Sequence, residues 1–302
     1  MSATMNFKVC KFLFITLFSI VVITLSTPSH CMDKLTIGLI PEMDVFKQKE
    51  RFLPLADYLT EKLGITVELT MLSRYGNIVQ RLRDAQIDAA FLGSFTGALS
   101  IYQLGVEPLV RPINLDGTSS YHGHIFVRKD SDIKTVADMK GKTMAFVEQA
   151  TTAGYIFPLA YLKLHGVTDY TQYFKEFFFT GSHDASIEAV FSGDADIGAA
   201  KNTIFDFYME TNPEAKAEIV ILATSLDVPS NGLCVIPTLD NELKKKIRNL
   251  LLELDKGPNG VDILKKLRFI RFVETSREDY QPVMDLASEA GISLIDYKYT
   301  NE

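Results

Sequence analysis

The chain of 302 residues contains no tryptophan, only three cysteines and no excess of basic residues. Each shortage closes off a class of function. Without an indole, there is no tryptophan platform to stack on a sugar or a cation. Cys10, Cys31 and Cys234 are too few for a disulfide framework. A formal net charge of −7 argues against the basic face that a nucleic-acid surface needs. The apolar run Phe12–Leu25 has fourteen residues, where a bilayer span needs ~20. No low-complexity linker or tandem repeat is visible. No G-x-S-x-G elbow, P-loop or H-E-x-x-H pattern occurs either, so no familiar catalytic motif argues for an enzyme.

The composition that remains is globular, with 47% apolar residues and a length sufficient for two lobes with their own cores. Lys8 and Lys11 precede the apolar run, and the small, polar segment STPSHC follows it. That order describes a secretory signal peptide. Ser29 and Cys31 fall at the −3 and −1 positions of a cleavage site, with the mature chain starting at Met32. A lipid on Cys31 and an uncleaved apolar anchor are the alternatives. Removing residues 1–31 takes away two lysines and no acid, which moves the net charge from −7 to −9 and leaves Cys234 alone. An exported chain without a disulfide suits a bacterial periplasm or cell surface.

Beyond residue 33, strand and helix patterns alternate. LTIGLI reads as a buried strand, and RFLPLADYLTEKLG as a helix with Leu55, Tyr58, Leu59 and Leu63 on one face. Ser73 is placed to cap the next helix, and IDAAFLG reads as a third strand. From Met139 the pattern restarts with GKTMAFVE, a helix from Thr151, YFKEFFFT, a helix from Ser182 and ADIGAA. The segment after Asn241 reads as helical. Such α/β units imply parallel sheets covered by helices, with ligands at the carboxyl ends of strands. We expect one lobe from residues 32–120 and 228–302 and a second from 121–227, joined by crossing segments near Thr118–Ile125 and Ala223–Pro237.

The chemistry-bearing residues gather where strands hand over to helices. Thr151 and Thr152 stand at one junction, where first-turn N–H groups have no helical partner, and Gly154 permits close approach. Ser94 and Thr96 stand at a second, and Thr180, Ser182 and His183 at a third. Each junction alone reads first as helix capping. Three together, each at a strand's carboxyl end, can converge on one small oxyanion. LRDAQIDAAFLG and FSGDADIGAA also share a form, a small-residue strand after a short polar turn, one in each proposed lobe.

IGLIPEMDVF with RFLPLADYLTEKLG, then SRYGNIVQRLRDAQIDAAFLGSF, then YHGHIFVRKDSDIKTVADMKGKTMAFVEQATTAGY and GSHDASIEAVFSGDADIGAA occur in that order. This series resembles the phosphate-, phosphite- and phosphonate-type periplasmic substrate-binding proteins of ABC transporters, over about residues 33–290. The resemblance implies an α/β, two-lobed type II periplasmic binding protein fold that hinges on two crossing strands. It implies that Thr151, Thr152 and Ala153 fall on the segment whose hydroxyls and amides hold the anion, and that His183 also reaches it. Tyr75, Ser94, Thr96 and Tyr121 fall in or near the segments that line the cleft, and Phe46 in the first loop. Ala153 replaces a hydroxyl residue of the family, a missing donor worth ~1.5–3 kcal/mol toward a charged group. Lys201 stands where relatives carry a small, polar or acidic residue, and can meet a second anionic group. Thr203 and Asn231 offer no carboxylate to an amine.

These residues lead to an exported solute-binding protein for a small oxyanion, namely phosphate, phosphite or an alkyl phosphonate. Its expected partner is an ABC permease in the inner membrane; we expect a monomer with no cofactor and no nucleic acid. The alternative is the same fold serving as the exported sensing module of a signalling receptor. His122 and His124 lie two apart on a strand but lack the further ligands of a metal site. His165 at a helix end and Cys234 in an apolar strand read as structural.

Overall fold

The structure is a computed structural model that describes residues 32–72 and 74–299. The expected signal peptide with Cys31, and Ser73, lie outside them. No helix of the described residues is long and apolar enough to cross a membrane. Thirteen strands are described. In chain order they are β1 (Lys34–Leu39), β2 (Thr66–Met71), β3 (Ala89–Leu92), β4 (Glu107–Asn114), β5 (Ser120–Tyr121) and β6 (Gly123–Arg128). Then come β7 (Thr143–Phe146), β8 (Glu176–Phe179), β9 (Ile197–Lys201), β10 (Ile219–Thr224), β11 (Val228–Pro229), β12 (Gly232–Val235) and β13 (Phe269–Glu274).

One sheet has the order β13-β4-β12-β3-β1-β2 and the other β10-β6-β9-β7-β8. They repeat one plan. In the first, β1 pairs in parallel with β2 and β3, and β12 returns antiparallel to β3. In the second, β7 pairs in parallel with β8 and β9, and β6 runs antiparallel to β9. The parallel strands carry runs such as AAFL and IGAAK that are buried throughout, as strands covered on both faces must be. Between the sheets the chain passes twice, through β5 and β11, which pair antiparallel with Tyr121 opposite Val228.

Local chemistry explains most elements. The helix Val45–Leu63 starts earlier than its apolar stripe suggests, because the Asp44 carboxylate accepts from the N–H groups of Phe46 and Lys47 at 3.1 and 3.0 Å. It buries Phe52, Leu55, Ala56 and Leu59, an i, i+3, i+4, i+7 set, and ends at Gly64 in the left-handed region. The helix Asn77–Arg83 is entered through Gly76 without a side-chain cap. β13 corrects the expectation of an all-helical carboxyl-terminal part. FIRFVE joins the edge of the first sheet against β4, its Phe272 buried and Ile270 and Arg271 exposed. In β9 the small residues serve packing: a Cβ on Gly198 would meet Phe126 at 2.5 Å and Val190 at 2.8 Å.

Candidate functional site

Three chain reversals end near one point. After β3, Gly93 leads into the helix Ser94–Leu104. After β7, Thr151 leads into a wide π-type turn, Thr152–Ile156, which continues as the helix Phe157–Leu164. After β8, Ser182 caps the helix His183–Ser192. Gly93, Thr151, Thr152 and His183 all line one small cavity, together with Tyr75, Tyr121, Lys201, Glu42 and Asn231. Its volume is about 10 Å³, room for roughly one water, so its wall groups crowd a single centre.

The hydroxyls form a chain. Ser94 Oγ lies 2.6 Å from Thr152 Oγ1 and 2.6 Å from Tyr121 OH. Three hydroxyls joined by two bonds leave one proton over. It emerges at Thr152 or at Tyr121, depending on which way the chain runs, and both residues line the cavity. Such a chain donates to an oxyanion oxygen at one end and can accept from a protonated oxygen at the other. The Tyr75 hydroxyl is buried with no partner among the described residues. Burial, with Glu42 next in effect among its causes, holds its pKa well above the usual value, so it stays a donor. The N–H groups of Thr152, Ala153 and Gly154 open the wide turn, where no helical acceptor exists, and none of the described residues accepts from them.

His183 Nδ1 accepts the backbone N–H of Lys201 at 3.2 Å. Burial, with Lys201 nearby, pushes the ring's pKa down to about 3 against the pull of Glu42. The imidazole is therefore neutral with its proton on Nε2, a donor. The main-chain N–H of His183 in turn donates to the carbonyl of Glu42 at 3.2 Å. Lys201 Nζ reaches Glu42 Oε1 at 2.8 Å and Asn231 Oδ1 at 3.0 Å, and stands 4.4 Å from the Tyr121 ring centre. Burial alone would raise the Glu42 carboxyl, but Lys201, by charge and hydrogen bond, and then Arg51 hold it below the usual range. The one lysine on this wall thus carries its own counter-ion.

The expected residues fall into three groups. Thr151, Thr152, Tyr75, Tyr121, His183 and Lys201 line the cavity, and Ser94 links two of them. Thr151 turns its hydroxyl to the carbonyl of Glu148 at 2.6 Å, so it shapes the loop. Thr96 and Ala153 stand in the first turns without lining the cavity. Thr96 Oγ1 donates to the carbonyl of Gly93 at 3.1 Å, and Ala153 packs against Gly123. Phe46 is 81% exposed and is not brought to the site. A Cβ on Gly154 would meet Val147 at 2.4 Å, so the close approach there is to the side chain that follows β7. Glu42 is the residue that motif reasoning misses; the loop PEMD gave no sign of it, although its carboxylate faces Lys201. Elsewhere His122 Nδ1 pairs with Asp227 at 3.1 Å and His124 Nδ1 with Thr224 at 3.0 Å. No group of three metal-type ligands occurs among the described residues.

Two α/β sheets with twin crossings and polar strand ends around a small cavity define a two-lobed binding protein of the periplasmic type. The family model described as "ABC transporter, phosphonate, periplasmic substrate-binding protein" matches residues 37–280, and the chain belongs to that family. It is 23% identical over 291 residues to the phosphonates-binding periplasmic protein of Escherichia coli, covering 94% of this chain and 85% of that one. The fold is shared with a binding protein component of an ABC phosphonate transporter from Pseudomonas aeruginosa. That structure has a TM-score of 0.80 at 20% identity and covers 86% of this chain and 87% of that chain. It is shared too with PhnD1 of Prochlorococcus marinus in complex with methylphosphonate, at a TM-score of 0.77 and 21% identity, covering 86% and 98%.

Proposed function

We propose that this chain is the exported substrate-binding component of an ABC importer and holds one phosphate- or phosphonate-type oxyanion in the cavity between Thr152, Tyr75, Tyr121 and His183. The observation that carries the reading is the unpartnered, buried Tyr75 hydroxyl beside the hydroxyl chain and the open N–H groups of the wide turn. A buried donor without an acceptor costs about 1–3 kcal/mol, and an oxyanion supplies what these donors lack. Every donor named is neutral. That suits a chain with net charge −7, since oriented dipoles hold an anion without a basic surface.

With room for about one water, the cavity admits a tetrahedral anion as the two sheets part about β5 and β11. Binding then stabilises the closed arrangement, because the donors come from both sides: Tyr75 and Ser94 from the first, Thr152 and His183 from the second. The names of the relatives support a phosphonate or phosphate ligand and a membrane permease as partner. The test is thermal unfolding of the purified protein with phosphate, phosphite, methylphosphonate and sulfate. Stabilisation by at least one phosphorus oxyanion is expected. A response to an unrelated solute class, with none to any oxyanion, refutes the ligand while leaving the fold.

A further inference from the structure

A second cavity of about 110 Å³ adjoins the first. Ile40, Glu42, Lys201 and Asn231 line both, so the Glu42–Lys201–Asn231 bridge is the neck between them. The second space is roughly ten times the size of the first cavity, enough for several waters or a small organic group of a few non-hydrogen atoms. Inorganic phosphate, phosphite or methylphosphonate seated in the first cavity would leave it unused.

Two side chains of the helix Val45–Leu63 leave unmet hydrogen-bonding groups among the residues that line this second space. Gln48 is 2% exposed; its Nε2 donates to the carbonyl of Ile40 at 3.3 Å, which sets the amide's orientation, and its Oε1 has no partner among the described residues. Three residues on, Arg51 donates from Nη2 to the carbonyl of Leu267 at 2.7 Å and from Nη1 to Met43 Sδ at 3.5 Å. Its buried Nε–H has no partner among the described residues either. The i, i+3 spacing sets these two residues on one face of the helix, one with a bare acceptor and the other with a bare donor. Buried polar groups are seldom left unpaired, and such an exception asks for an explanation.

The charges around the cavity narrow the group that can supply it. Arg51, Lys201 and Arg268 stand against Glu42, Asp116 and Asp206, so the lining has no excess charge to offer either an ammonium or a carboxylate. A hydroxyl is neutral and both gives and accepts on one atom. We propose that the second cavity takes the hydroxylated substituent of the bound anion. The preferred substrates are then hydroxyalkyl phosphonates or phosphate monoesters of small polyols, above inorganic phosphate and aminoalkyl phosphonates. This rests on the oxyanion reading above and deepens it.

The experiment is a calorimetric titration of the purified protein with a matched set: inorganic phosphate, ethylphosphonate, 2-hydroxyethylphosphonate, 2-aminoethylphosphonate and glycerol 3-phosphate. At least one of the two hydroxylated ligands should bind tenfold or more tighter than both ethylphosphonate and phosphate, and the amine weaker than its hydroxyl counterpart. Which of the two hydroxylated ligands leads distinguishes the phosphonate source from the ester source. Gln48→Leu should bring the ratio of hydroxyethyl to ethyl affinity toward one. Equal affinities across the set in the unaltered protein overturn the second-cavity proposal and leave the oxyanion reading standing. A tighter amine overturns it as well, as does a ratio unchanged by Gln48→Leu. Silence toward every member of the set refutes the oxyanion reading itself. The ligand ranking needs no variant, so a Gln48→Leu protein that fails to fold does not remove the test.

Discussion

The Glu42–Lys201 pair offers the most demanding test of how the cavity handles charge. Glu42→Gln keeps the shape and removes the negative charge. Lys201 then faces a buried neck with neutral partners alone among the described residues: the new amide oxygen, Asn231 Oδ1 at 3.0 Å and the Tyr121 ring. Removing one partner of a buried pair costs about 3–5 kcal/mol; those contacts place this case near the lower end, about 3 kcal/mol. At roughly 2–4 °C per kcal/mol for a chain of this size, the unliganded protein should melt about 6–12 °C lower. The same change should tighten anion binding. A carboxylate and an anion held at a separation of about 7 Å would repel by about 2 kcal/mol at an effective dielectric of ~20, some thirtyfold in affinity. Lys201→Met should act in the opposite direction, leaving Glu42 without its main counter-charge beside the anion. Melting curves with and without phosphate, and calorimetric titration of both variants, read the two effects separately. If Glu42→Gln weakens phosphate binding as much as Lys201→Met does, the carboxylate is itself a contact for the ligand and the electrostatic reasoning fails.

Thr152→Val removes one end of the hydroxyl chain and should weaken oxyanion affinity by about 1.5–3 kcal/mol, roughly ten- to 150-fold; a titration showing less than threefold loss counts against the chain as a donor. Stability should also depend on pH through His183, whose folded pKa of about 3 lies below the ordinary 6.5. The unfolded chain binds the extra proton between those values, so stability is full above about pH 6.5 and is lost as pH falls toward 3. His124, pushed down to about 4 by burial and then by His122, acts with the same sign. For His183 alone the loss at pH 5 is about 2 kcal/mol, checked by urea unfolding at pH 7.5, 6.5 and 5, and His183→Gln should flatten the slope. Near the carboxyl end, Tyr299 donates its hydroxyl to Glu148 and Tyr297 to the carbonyl of Gln149 at 2.9 Å, on the loop that leads to Thr151. Tyr299→Phe should cost about 1–2 kcal/mol of stability, read from the urea midpoint; an unchanged midpoint would make that contact incidental.

What could be read from the residues alone divides along a physical line. The parallel strands were legible because runs such as AAFL and IGAAK fit only a sheet buried on both faces. The three reversals were legible because hydroxyl residues and glycine stand together where such strands end. β13 was missed: FIRFVE sits between helical segments and gains its pairing only from β4, more than 150 residues earlier in the chain. Thr151 and Thr152 cannot be told apart in sequence, since only the wide turn sends one hydroxyl to Glu148 and the other to Ser94. Lys201 was visible as a cation, but its counter-ion was not, because Glu42 lies 159 residues away.

That pairing changes how an acidic chain can hold an anion. With Glu42 opposite Lys201, the neck contributes almost no net charge, and the remaining donors named are neutral. Affinity must then come from oriented hydroxyls, N–H groups and an uncharged imidazole, short-range contacts inside a closed cavity that salt screens weakly. The chain's own negative charge acts at longer range, and salt screens it. Raising the ionic strength from about 0.05 to 0.5 M, across which the Debye length shrinks about threefold, should therefore leave phosphate affinity level or slightly higher. A site built on uncompensated lysines would lose affinity over that range. A steep loss, measured by titration in a salt of an anion that does not itself bind, would show that Lys201 turns from Glu42 to the ligand.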